Sequence, residues 1–271
     1  FDYSANFLIV TLINQLIIGW VAIFLLINLT FLIAKKLNNF CIVDVLWGFS
    51  FGILATIFLC TGDGYFTRRL ILGILAITWT TRLGAYLLLR IIKKYPEEDK
   101  RYKFLLRKWG DRKYLNMYFF YHIQGLLIVI LSPIFAVPTL QDSSELSIIE
   151  YIGIFIITTS IICESISDYQ LFKHKNSAST DIVYRKGFWK YSRHPNYFFQ
   201  WLAWVGFFIF SLNSSGLFTI YCPLLMLFLL TKVTGINNNE AHNIASKGKE
   251  YLIYQKTTSP FIPLPPRKYK Y

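Results

Sequence analysis

The chain has 271 residues, 54% of them hydrophobic and 18% aromatic, with only 16% charged and a mean hydropathy of +0.42. A soluble domain carries about 25% charged residues, so there is too little charge here to cover a water-facing surface. The apolar residues fall in runs of roughly 17–25, the length that crosses a bilayer as helix. That excludes disordered, collagen-like, coiled-coil and disulfide-scaffold chains. The fold class this implies is all-α, a polytopic membrane helix bundle.

Continuous rather than alternating apolar runs favour helices over a barrel. They predict about seven spans, near residues 7–33, 43–59, 70–92, 119–137, 148–166, 197–212 and 217–233, then a tail over 234–271. No repeat of fixed period breaks the chain, so residues 1–271 read as a single membrane domain. The first run is too long for the core of a signal peptide and has no basic segment before it.

The 28 Lys and Arg outnumber 15 Asp and Glu, for a net charge of +13. All but Arg68, Arg69, Arg82 and Arg90 lie in the loops after the first, third and fifth spans or, counting Lys232 at the inner end of the seventh span, on the side of the tail. The positive-inside bias then puts the N-terminus outside or lumenal and the C-terminus and tail in the cytosol. The expected setting is an integral multi-pass protein of the endoplasmic reticulum in a eukaryote, or of the inner membrane in a bacterium. Bases confined to such loops are topology signals and sites for anionic lipid or phosphate, and no nucleic-acid partner is expected. Cys41, Cys60, Cys163 and Cys222 are scattered among the spans without metal-ligand spacing, so no metal is expected and they read as small apolar packers.

Polar residues inside spans are costly and often functional. The second span opens on Asp44-Val45-Leu46-Trp47-Gly48, and Arg82, Tyr86 and Arg90 lie close to one face of the third. Two readings stand. Either Asp44 pairs with a third-span arginine while Arg90 reaches the aqueous edge, or the face lines a cavity where Tyr86 donates a proton beside a carboxyl. Glu164 and Asp168, four apart, share one face at the end of the fifth span. They read either as a polar helix end meeting Lys173 or Lys175, or as functional acids facing the segment that follows. That segment, Lys186-Gly187-Phe188-Trp189-Lys190-Tyr191-Ser192-Arg193-His194-Pro195-Asn196-Tyr197, places Pro195 in the first turn of a helix. The N–H groups and positive dipole end of that helix, beside Arg193 and His194, suit a phosphate.

Lys186–Tyr197 resembles the signature of steroid 5-alpha-reductase-like membrane proteins, in the branch once catalogued only as a domain of unknown function. The resemblance extends from Asp44 to Pro263. It takes in Asp44–Gly48, Trp79 with Arg82, Asp99–Tyr102, Trp109-Gly110, Gln124, Glu164 with Asp168–Leu171, Gly235-Ile236 with Glu240, and Tyr254–Ser259. It implies seven helices, NADPH held in the cytosolic half of the last ones, and reduction of a carbon–carbon double bond in a steroid-like or other lipid substrate. By position, Asp168, Arg193, His194, Asn196 and Tyr197 contact the cofactor, and the tail at Tyr251 and Tyr254 closes over it. Gln200 stands where relatives usually carry Glu; an amide keeps hydrogen bonds and loses the charge. The proton or polarising group falls to Tyr86, Asp44 or Glu164. A rival resemblance is to membrane methyltransferases that use S-adenosylmethionine on isoprenylcysteine or phospholipid. A third reading is a lipid-binding relative that has lost catalysis.

Overall fold

A computed structural model describes residues 3–177, 182–212, 216–233 and 235–268. Among these the structure is helical, with no strand and one isolated parallel bridge, Ser192 to Ser259. Six helical segments are long and apolar enough to cross a membrane: 8–37, 42–61, 66–94, 100–140, 148–175 and 216–233. The span expected at 197–212 is a helix of 17 residues, Pro195–Ser211, about 25 Å long at 1.5 Å per residue. The protein is thus a multi-pass integral membrane protein. The chain divides into two compact units, the first running to Leu146 and the second formed by Ser147–Leu212 and the chain from Leu217 on.

The first unit contains α1 (Tyr3–Leu37), α2 (Ile42–Thr61), α3 (Phe66–Lys94), α4 (Lys100–Trp109), α5 (Lys113–Leu131) and α6 (Pro133–Ala136). Lipid tails are as apolar as leucine, so spans are held by close packing and hydrogen bonds rather than by escape from water. Gly48 of α2 meets Gly84 of α3 so closely that a Cβ on Gly48 would lie 2.8 Å from the Gly84 Cα. Only glycine at both positions permits that crossing. Buried Gln15 of α1 donates to Thr139 Oγ1 at 3.1 Å and to the Phe58 carbonyl at 3.4 Å. Arg68, fully buried, donates to the carbonyls of Gln141, Ser143 and Glu145 at 2.7–2.9 Å. Arg68 and Arg69, which the sequence shows as exceptions to the positive-inside bias, are structural at the start of α3: Arg68 folds the 141–145 loop, and Arg69 closes the end of α2 on the Leu59 and Gly62 carbonyls.

The second unit contains α7 (Ile148–Lys175), α8 (Pro195–Ser211), α9 (Tyr221–Phe228), continued by a π turn over Leu229–Val233, and α10 (Ile236–Thr257). A capping box starts α7: Ser147 accepts from the Glu150 N–H and its own N–H donates to Glu150 at 2.8 Å. The helix runs nine residues past the apolar run because Ser167, Asp168 and Gln170 break the hydropathy and not the backbone ladder. α7 and α8 pack along their lengths, with Trp204, Phe207 and Phe210 fully buried. α10 is bent at Gly248, whose φ of +54° lies in the left-handed region.

Candidate functional site

The densest polar assembly lies in the second unit, where the chain enters α8. The turn before it is fixed to α7 twice: Phe188 N–H donates to Gln170 Oε1 at 3.1 Å, and Trp189 Nε1 donates to the Ser167 carbonyl at 3.0 Å. Gly187, at φ +56°, sits against the Gln170 amide where any side chain would collide. This delivers Ser192, Arg193 and His194 to the tail. Arg193 N–H donates to the Ser259 carbonyl at 2.9 Å, Leu264 N–H to the Tyr191 carbonyl at 3.0 Å, and Ser192 Oγ to the Phe261 carbonyl at 2.7 Å.

Arg193 is the centre of this clasp. Its Nε and Nη2 donate to the two carboxylate oxygens of Glu240 at 2.7 and 2.9 Å, a bidentate fork. Its Nη1 donates to the Gln255 and Thr258 carbonyls at 2.9 and 2.6 Å. Tyr251 donates to Glu240 at 2.9 Å, and the Gln255 side-chain amide donates to its other oxygen. The Tyr254 hydroxyl donates to the Trp189 carbonyl and, at 3.2 Å, to that of Ser192. Burial pushes the Glu240 carboxyl up, but hydrogen bonds from Arg193, Gln255 and Tyr251 and the Arg193 charge outweigh it and hold the group below the usual range. Burial raises the Tyr251 and Tyr254 hydroxyls, with Glu240 adding to the first and Tyr251 to the second. His194 Nδ1 lies 3.0 Å from the Pro260 carbonyl and its ring stacks on Tyr197 at 5.6 Å. Burial pulls the imidazole down, against the opposing pull of the carbonyl and of Glu240.

Beside the clasp lies a second, more open group. Asn196 Nδ2 donates to Asp168 Oδ1 at 3.1 Å, linking the end of α7 to the first turn of α8, and Asn239 Nδ2 donates to the Tyr197 hydroxyl at 2.7 Å. Asp168, Asn196 and Tyr197 are half-buried, within reach of a ligand from water. Glu164, one turn deeper on the Asp168 face of α7, is buried, as is Gln200 on α8.

In the first unit Asp44 accepts from Arg101 Nη2 and from the Tyr102 hydroxyl, both at 2.7 Å. The arginine it meets is thus on α4, not on the third span. Arg90 pairs instead with Asp99 at 2.6 Å, and Asp99 also caps α4 by accepting from the Arg101 N–H. Burial raises the Asp99 carboxyl, and its bonds to Arg101 with the charges of Arg101 and Arg90 bring it below the usual range. Glu98 accepts from the Phe40 and Cys41 N–H groups, satisfying the open start of α2. Burial and the Glu98 charge push the Cys41 thiol up to about 12, which leaves it unreactive. Tyr86 is 46% exposed.

Over residues 30–258 the chain matches the family described as protein of unknown function (DUF1295). The chain belongs to this family. No curated protein and no solved structure matches it. The matched stretch of this DUF1295 chain includes the clasp up to Thr258 and ends before the last tail contacts at Ser259–Leu264.

The sequence reading turns Arg193, His194, Tyr251 and Tyr254 toward a cofactor; in the fold all four engage α10 and the tail. Asp168, Asn196 and Tyr197 remain at the accessible edge. The residue that sequence reasoning left without a role is Glu240, which receives Arg193, Tyr251 and Gln255 together. Its signal was available: it and Glu250 are the two acids of an otherwise basic tail.

Proposed function

We propose that the chain is a membrane-embedded reductase that uses NADPH to saturate a carbon–carbon double bond in a lipid or steroid-like substrate. The observation that carries this reading is the Asp168–Asn196 pair, half-buried at the entry to α8 inside the segment that resembles the steroid 5-alpha-reductase-like proteins. A carboxylate and an amide side by side, with the Tyr197 hydroxyl next along the turn, offer the donors and acceptors that a nucleotide's hydroxyls and carboxamide need. Arg193 does not fit a direct phosphate contact, because its fork is closed on Glu240. Its part is to fix the α8 entry and the tail as one wall of the site.

NADPH, when bound, supplies the hydride for one carbon of the double bond and leaves as NADP⁺. The other carbon takes a proton, and within this unit Glu164, one helical turn from Asp168, is the group placed to pass it on. Asp44, whose two oxygens already accept from Arg101 and Tyr102, serves as an anchor for α4 in this scheme. Tyr86, 46% exposed on α3 of the first unit, takes no step in this scheme.

Thermal stabilisation of the purified protein tests the cofactor before any substrate is known. NADPH is expected to raise the melting temperature and S-adenosylmethionine to leave it unchanged. Asp168→Asn combined with Asn196→Ala should abolish the NADPH shift while the unliganded protein still melts cooperatively, lowered only by the loss of one hydrogen bond, and Gln200→Glu should enlarge it. A shift with S-adenosylmethionine alone would move the assignment to a methyltransferase. No shift with either would leave a lipid-binding protein.

A further inference from the structure

The outward face of α7 is largely apolar: Ile152 and Phe155 and, past one turn of Thr158 and Thr159, Ile162 and Ile166 lie on it, all four apolar side chains exposed, Phe155 by 70%. This face does not fade into water. It ends at a cleft of about 540 Å³ between the last turns of α7 and residues 184–186, lined by Ile166 itself and by Tyr169, Gln170, Lys173, Tyr184 and Lys186. That volume is within the roughly 300–1,000 Å³ of small-ligand sites. None of the described lining residues is acidic. Of the two tail carboxylates, Glu240 is held by Arg193 and Glu250 pairs with Arg185 at 3.0 Å. Gln170, whose oxygen accepts from the Phe188 N–H, adds a polar amide to the lining. The surrounding field is positive as well: burial and the neighbouring Lys175 together pull the Lys247 ammonium down.

We propose that this cleft seats the phosphate headgroup of an anionic phospholipid, with an acyl chain lying along the apolar face of α7. Two lysines from different segments converge on one concavity, and lysine is a point charge suited to phosphate. Tyr169 and Tyr184 present an apolar body with a polar tip, the chemistry of the membrane interface. The apolar face below gives an acyl chain a surface and gives a free phosphate or a nucleotide nothing. The inference is independent of the reductase reading, since it concerns a lipid retained on the protein and not one consumed.

The test is lipid retention by the full-length protein, reconstituted in vesicles of equal phosphatidylcholine and phosphatidylglycerol, then extracted and its bound lipid counted. Wild type should keep phosphatidylglycerol selectively. Lys173→Ala with Lys186→Ala should lower that selectivity roughly tenfold, Lys173→Arg with Lys186→Arg should preserve it, and Lys35→Ala with Lys36→Ala, in the other unit, should leave it unchanged. Should the alanine pair not fold, the wild-type selectivity must still fall as salt rises. Selectivity that ignores salt, equal losses in the Lys35/Lys36 control, or displacement by inorganic phosphate at matched phosphate concentration would each overturn the proposal. None of these outcomes bears on the NADPH shift.

Discussion

Each unit contains an arginine–carboxylate network of the same chemistry, and the two differ in how much water they see. Arg101 and Asp44 meet at 2.7 Å with 47% and 21% of their side chains exposed, while Arg193 and Glu240 meet at 2.7 Å with 9% and 12% exposed. The first joins α4 to the start of α2; the second joins the α8 entry to α10 and the tail. Distance alone would rank them equal. Solvent decides otherwise, because an exposed pair is worth about 0–1 kcal/mol, whereas removing one partner of a buried pair costs about 3–5 kcal/mol through the charge left behind. The second network is further bound in by Tyr251, Gln255 and two tail carbonyls, so it acts as a unit.

The largest expected effect therefore comes from Glu240→Ala, which strands the Arg193 guanidinium among carbonyls. Stability should drop by about 3–5 kcal/mol, and protease should cut the chain after Lys256 far faster than in wild type. The comparison sharpens if both partners go. Arg193→Met with Glu240→Leu should recover most of the lost stability, because no charge is then buried alone. A melting temperature for the double variant as low as for Glu240→Ala would mean that the carbonyl contacts, and not the ion pair, hold the tail. Arg193→Lys should lie near Glu240→Ala, since an ammonium cannot reproduce the fork.

How far each network was legible in the sequence follows the same line. The bundle was readable because apolar run length is a property of the chain itself, and the match of expected spans to helices in both units reflects that. Asp44 was readable as a paired acid, but its partner was not. Arg101 reaches it only because the 95–99 turn folds back and Asp99 caps α4, neither of which leaves a hydropathy trace. Arg193 drew attention through its motif, yet its direction did not follow from the motif: a basic residue before a helix serves an outside anion or an inside carboxylate equally well. Only α10, a helix of mixed polarity in what hydropathy shows as a tail, brings Glu240 to it.

Acid should separate the two networks next. Burial holds the His194 imidazole below its ordinary value, so the folded clasp binds fewer protons there than the unfolded chain does. Its contribution is complete above about pH 6.5, the free imidazole value, and is lost as pH falls from there toward the depressed folded value. Glu240 acts in the same direction at lower pH. Its contribution is present above the ordinary carboxylate range and is lost as pH falls through the lowered folded value. Hydrogen exchange at tail amides such as Leu264, followed from pH 7 to pH 5, should accelerate beyond its intrinsic pH trend. His194→Gln should remove the component that begins near pH 6.5. Amides of α4 should show no such step in that window, because Asp99 is also held low and stays charged throughout it.

The smallest effect is expected from Arg101→Ala. The side chain is nearly half exposed, its pairs with Asp44 and Asp99 are screened by water and salt, and Tyr102 still donates to Asp44 at 2.7 Å after it is gone. The loss should stay under about 1 kcal/mol and shrink further at high ionic strength. Tyr102→Phe probes the other half of the same anchor. It removes a donor from a buried ring, at a typical net cost of about 0.5–1.5 kcal/mol for one hydrogen bond, and salt should barely change it. A loss from Arg101→Ala as large as that from Glu240→Ala would break the contrast between the units. It would mean that α4 is held against α2 by charge in a setting as dry as the clasp, and that exposure is the wrong guide to which arginine matters.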